Sequence, residues 1–146
     1  MDEKMLVSDI LQNYHVIAVV GLSRNHSKDS FIVANYMKRN GYQIIPINPF
    51  ANEILGEEAY ANLLELPEEI QRKTEIIDIF RPSNDVLPIV KQAIRLKKKW
   101  GMPKVIWMQL GIKNNKAAEI ASRAGFSVVM NKCIMREHIK LRRKLN

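Results

Sequence analysis

The sequence predicts an α/β fold, a Rossmann-like, doubly wound, three-layer arrangement around a five-stranded parallel sheet. Three observations predict it. Short apolar, β-branched runs alternate with amphipathic stretches of helical period along most of the chain. The runs are continuously apolar, as strands buried on both faces are, and do not alternate with polar residues. The length of 146 residues suits one domain of this type, residues 1–146, whereas a closed barrel of eight such units needs about 250.

Residues 1–13 read as an N-terminal helix or extension. Val16 to Val20, ending at Gly21, is the first strand and is expected at the centre of the sheet. Phe31 to Arg39 places Ile32, Val33, Tyr36 and Met37 on one helical stripe, and Asn40-Gly41 ends it, because glycine tolerates the left-handed turn past a last helical residue. Gln43 to Ile47 follows as a second strand stopped by Asn48-Pro49, which closes a right-handed βαβ unit. Phe50 to Lys73 carries Gly56 and Pro67 as punctuation and predicts an irregular connection with a short helix near Ala61 to Leu64.

Glu75 to Phe80 is the third strand. The loop Arg81 to Asn84 leads from it into a helix with Val86, Val90, Ala93 and Ile94 on one side. Lys104 to Met108 gives a fourth strand, Ala117, Ile120, Ala121 and Ala124 another helix closed by Gly125, and Ser127 to Met130 the fifth strand. In such sheets ligands sit outside the carboxyl ends of the strands, where strand order reverses. The candidate site is thereby located before any motif is considered.

Composition narrows the functional classes. The single cysteine, Cys133, excludes an internal disulfide and multi-cysteine metal patterns, and it suits a cytoplasmic protein. No apolar run approaches the roughly 20 residues that cross a bilayer, and the acidic start does not resemble a signal peptide. The formal charge of +8 favours anionic ligands in general. Much of it falls on Arg95 to Lys99 and on a basic C-terminal tail, residues 136–146, which read most simply as a solvated helix face and a solubilising terminus.

The loop Gly21 to Lys28 joins the first strand to the first crossover helix, so backbone N–H groups and a helix N-terminus converge there on an anion position. Gly21 permits the tight turn, Ser23 offers a hydroxyl, and Arg24 and Lys28 add cationic groups that grip phosphate. A plain strand-to-helix turn also uses glycine and small polar residues. The loop lacks the further glycines of the dinucleotide fingerprint, and the second strand ends in Asn48-Pro49 with no acidic residue for a ribose diol. No Walker lysine is present.

Three segments together carry a resemblance: IAVVGLSRNHSKDSFIVANYMKRNGYQIIPINP, DIFRPSNDVLPIV and VIWMQLGIKNNKAAEIASRAGFSVVMNKCI. In content and order they resemble the single-domain CoA-binding protein family, which is similar to the CoA-binding domain of the succinyl-CoA synthetase α subunit. The resemblance covers about Tyr14 to His138. It implies that Gly21, Ser23, Arg24 and Lys28 contact the phosphate-rich end of coenzyme A or an acyl-CoA. It also implies that Asn48, Pro49, Phe80, Arg81, Pro82, Gln109, Leu110 and Gly111 line the remainder of one groove. On residue chemistry alone, Pro49 and Pro82 equally serve as strand stops, Arg81 as a surface ion pair, and Gln109 as a polar tie between loops.

The family's aspartate-arginine-cysteine near the last strand stands here as Asn131-Lys132-Cys133, so the bidentate fork of arginine is lost at Lys132. Cys133 admits two readings, a thiol able to form a mixed disulfide with CoA or, more commonly for a lone cysteine, a small buried residue. Ligases of related architecture use a phosphohistidine from a further domain. His15, His26 and His138 form no metal spacing and no nucleophile–base pair. The expectation is a non-catalytic carrier, sensor or regulator that needs no metal and does not engage a membrane. The alternatives are an NAD(P)-binding oxidoreductase-type domain and, less favoured, nucleic-acid binding through the basic tail.

Overall fold

The computed structural model describes residues 2–146, so the expected domain and its N-terminal segment begin one residue outside it, at Met1. The first half of the chain forms α1 (Glu3–Asn13), β1 (Val16–Val20), α2 (Asp29–Arg39), β2 (Gln43–Ile47), β3 (Glu53–Ile54), β4 (Glu57–Glu58) and α3 (Glu68–Lys73). The second half forms β5 (Ile76–Ile79), α4 (Val86–Trp100), β6 (Val105–Met108), α5 (Asn115–Arg123), β7 (Ser127–Val129) and α6 (Ile134–Leu145). Short 3-10 turns occupy Leu63–Glu65 and Ser83–Asp85.

Five strands form one all-parallel sheet in the order β2-β1-β5-β6-β7. Helices cover both faces. Ile17, Val19, Ile76, Val105 and Trp107 pack toward the layer of α1, α2 and α6, while Ala18, Val20, Ile77, Ile79 and Ile106 pack toward the layer of α4 and α5. Both sets are almost fully buried. This is why the strands read as unbroken apolar runs. Among the described residues no helix is long and apolar enough to cross a membrane.

The middle strand is β5 and not β1, which corrects the expectation for Val16–Val20. Both strands are flanked on two sides and buried on two faces, so hydrophobicity cannot separate them. The order is set by the crossovers: the chain lays β2 outside β1 and then returns past β1 to form β5.

The segment Phe50 to Lys73 is more regular than expected. β3 and β4 pair antiparallel across Leu55-Gly56, both with positive φ, at 57° and 75°. Two such residues make the hairpin turn whose twist matches its strands, but asparagine or aspartate normally marks its first position. Leucine hid it. Tertiary contacts hold it: Leu55 packs on the core, and Lys38 donates to the Leu55 carbonyl and pairs with Glu57 at 3.1 Å. The short helix expected near Ala61 to Leu64 is the 3-10 turn Leu63–Glu65, followed by α3, which the sequence reading did not anticipate.

The basic tail is also structured. Residues 136–145 belong to α6, which packs on α2 and α1 through Ile134, His138 and Leu141. Burial and, secondarily, Arg142 hold His138 below its ordinary pKa, and its Nδ1 shares a 2.8 Å hydrogen bond with the Tyr36 hydroxyl. The cations face solvent because this apolar stripe faces inward.

Candidate functional site

The switch point lies between β1 and β5. The connection after β1 leads to one side of the sheet, to β2, and the connection after β5 leads to the other, to β6. Loops diverge there and leave a crevice. Gly21, the first residue past β1, donates its N–H to the Ile47 carbonyl at 3.0 Å and holds φ at +89°. A Cβ at this position would stand 3.1 Å from Cδ of Arg81, the second residue past β5. Glycine therefore serves twice, for the turn and for the close passage of the arginine stem.

The larger cleft, about 600 Å³, is bordered by Gly21, Ser23, Asn48, Pro49 and Arg81. Asn48 ties its rim together: Nδ2 donates to the Leu22 carbonyl at 2.9 Å, and Oδ1 accepts from the Phe50 N–H at 2.7 Å. Phe50, 83% exposed, stands at the mouth. Arg81 and Asp85 are the two charged residues in the lining, and they pair at 3.1 Å.

The β1–α2 loop is shaped largely by its own side chains. Ser30 Oγ accepts from the Ser23 N–H at 2.9 Å, Ser23 Oγ accepts from the Asn25 N–H at 3.0 Å, and Asn25 Oδ1 accepts from the Ser27 N–H at 3.0 Å. Ser23 Oγ thus serves the turn as an acceptor, which leaves its O–H able to donate. His26, on the same loop, stacks on Phe31 of α2 with ring centroids 4.2 Å apart.

What the loop leaves open is the start of α2. Lys28 is the N-cap and makes no side-chain cap bond. The N–H groups of Asp29, Ser30 and Phe31 have no partner among the described residues. Three parallel donors at the positive end of a helix dipole favour an anion. Arg24 and Lys28 are exposed beside this terminus and line neither cleft.

Phe80, Gln109 and Leu110 fall elsewhere, in a second cleft of about 180 Å³ on the α2 and α6 side. The single groove expected from sequence is two. The division follows from strand alternation: Phe80 faces the α2 layer, whereas Arg81 turns toward α4. Gln109 is 3% exposed, and its Oε1 accepts from the Ile134 N–H at 3.1 Å, supplying a cap to α6. It is a tie between loops. Gly111 lines neither cleft and donates its N–H to Asn131 Oδ1 at 2.7 Å. Pro82 also lines neither and precedes the 3-10 turn.

Cys133 is 8% exposed at the border of the small cleft. Lys132 points away and pairs with Glu3 of α1 at 3.1 Å, while its carbonyl accepts from the Trp107 indole N–H at 2.8 Å. Its side chain docks the N-terminal helix. Asp78 lies deeper, on the strand face shared with Val19 and Trp107, 1% exposed, with Oδ1 unpartnered. Burial holds its carboxyl well above the ordinary value of 3.8.

Sequence reasoning missed Phe50, Asn62, Asp85 and Gln92 of the large cleft. Asn62 lies in the segment read as irregular, and Asp85 and Gln92 belong to the approach and second turn of α4. Only the exposed aromatic after Asn48-Pro49 gave a sequence signal.

Comparison with known proteins places the chain in a family. The chain is 33% identical over 135 residues to the uncharacterized protein YneT of Bacillus subtilis, covering 92% of this chain and 93% of that one. A hypothetical protein from Pyrococcus horikoshii has a solved structure that superposes with a TM-score of 0.86 at 34% identity, over 96% of this chain and 92% of that one. An ADP-forming acetate–CoA ligase of Methanocaldococcus jannaschii is 26% identical over 134 residues, but those cover 86% of this chain and only 18% of the ligase. The family described as the CoA binding domain matches residues 15–139, from the entry into β1 to the middle of α6, and the chain belongs to that family.

Proposed function

We propose that this protein binds CoA or an acyl-CoA across the ridge formed by Gly21 and Arg81. The observation that carries this is the uncapped N-terminus of α2 at the switch point, with Lys28 and Arg24 on the loop that leads into it, the small cleft bordered by Asp29 itself and the large cleft bordered by Gly21 and Ser23 of that loop. The pyrophosphate sits on the free N–H groups of Asp29, Ser30 and Phe31. The adenosine portion takes the large cleft, where Gln92 offers an amide and Pro49, Phe50 and Ile89 offer apolar surface. The thiol end, free or acylated, runs toward the small cleft, whose Ile32, Val33, Phe80, Leu110, Ile112 and Met135 suit a short apolar acyl group.

The role is that of a carrier, sensor or regulatory module of the cytoplasm, with no turnover of its own. Two histidines are engaged in stacking, His15 on Tyr42 and His26 on Phe31, and His138 is bonded to Tyr36. The NAD(P) alternative finds no support at the end of β2, where Asn48 is committed to the loops on both sides of it.

Calorimetric titration tests the reading. CoA is expected to bind with a dissociation constant in the micromolar range or tighter and to raise the melting temperature, while NAD and NADP do neither. Failure of CoA and of short acyl-CoAs to bind at millimolar concentration contradicts it.

A further inference from the structure

We propose that Asp85 is a resident competitor for Arg81, a residue that sets affinity by giving the arginine up only to a ligand phosphate. The inference rests on the CoA-binding reading above. Within the lining of the large cleft the two residues are the sole charged side chains, so their charges balance there. The guanidinium Nη2 lies 3.1 Å from Asp85 Oδ2, with the side chains 52% and 49% exposed. An anion entering the cleft meets a cation already engaged and a carboxylate of its own sign.

Two further observations say that Asp85 is not needed to place Arg81 or to start the helix. The arginine stem passes against the backbone, so close to Gly21 that a Cβ there would approach its Cδ to 3.1 Å and its Cγ to 3.4 Å. Asp85, the N-cap of α4, makes no side-chain cap bond. An ion pair this exposed contributes little to folding. The effect of its carboxylate falls instead on whatever anion shares the cleft, through repulsion and through competition for the guanidinium fork. Asp85 is thus a specificity-determining residue: it favours ligands whose phosphate charge suffices to displace it.

The test is CoA titration of the wild type, Asp85→Asn, Arg81→Gln and the double variant, with melting temperatures recorded. Asp85→Asn keeps the shape and is expected to tighten CoA by about 3- to 10-fold at low salt, with a smaller gain near about 0.5 M salt, where screening is short-ranged. Arg81→Gln weakens binding, and in that background the Asp85→Asn gain falls to the part that repulsion alone supplies. Unchanged or weaker binding by Asp85→Asn overturns the proposal, as does a gain that is just as large without Arg81. If the wild type itself binds no CoA, the underlying reading fails, which is a different result from a wild type that binds and a variant that does not improve.

Discussion

The two ends of the same parallel sheet are finished in opposite ways. At the amino edge the polar groups are stitched to one another: Glu75 Oε1 accepts from the N–H groups of His15 and Val16 at 2.8 and 3.1 Å, the His15 carbonyl accepts from Gln43, and the Glu75 carbonyl accepts from Lys104. At the carboxyl edge three N–H groups at the start of α2 have no partner among the described residues, two clefts open along that edge, and Ile32, Phe50 and Leu110 expose large apolar surfaces. One edge is closed on itself, and on the proposed reading the other keeps donors and apolar surface for a ligand. Energetically, an edge whose donors are all satisfied has nothing left to offer an anion.

Substitutions at the two edges should therefore separate folding from binding. The largest effect is expected at Gly21, which serves both. Gly21→Ala must strain a backbone at φ +89° and push Arg81 aside, so it should lose about 1–3 kcal/mol of stability in urea titration and most CoA affinity. Glu75→Ala, at the closed edge, takes the acceptor from two backbone donors, one exposed and one half-buried, and should cost about 1–2 kcal/mol of stability with the dissociation constant for CoA unchanged. Lys28→Ala should do the reverse. It caps nothing, so melting is unaltered, while CoA binding weakens by about 1–3 kcal/mol in calorimetry.

A smaller effect concerns the small cleft. Leu110 is 54% exposed at the border of the small cleft, so Leu110→Ala should leave CoA binding intact and reduce the preference for butyryl- over acetyl-CoA by about 1 kcal/mol. The pH axis gives the gentlest test. Burial raises the Asp78 carboxyl, so the folded state holds this proton more tightly than the unfolded chain does. Its contribution is complete below the ordinary value of 3.8 and is lost as pH rises toward the elevated folded value. Urea midpoints measured upward from pH 4 should fall for the wild type relative to Asp78→Asn, whose amide does not titrate.

The sheet was legible because its strands are buried on both faces and its helices on one, so the two periods alternate visibly along the chain. The strand order was not, since β1 and β5 have the same burial and differ only in what the crossovers do. Leu55 concealed a hairpin turn because packing and Lys38 hold it in a conformation that leucine does not favour. In α6 the eye follows the charges, while the position is set by Ile134, His138 and Leu141. At the site, Gly21, Asn48, Pro49 and Arg81 follow from their places after strands. Gln109 and Gly111 have structural ties that only the fold reveals, and Asp85 emerges only once α4 is set against β5.

On the proposed reading an open helix terminus at the carboxyl edge receives the pyrophosphate. Titrating the isotopically labelled protein with CoA while following backbone amide resonances tests this residue by residue. The amides of Asp29, Ser30 and Phe31 are expected to shift most, followed by those around Gly21 and Arg81. Largest shifts along α6 or at the Glu75 edge, with those three amides unmoved, would contradict it.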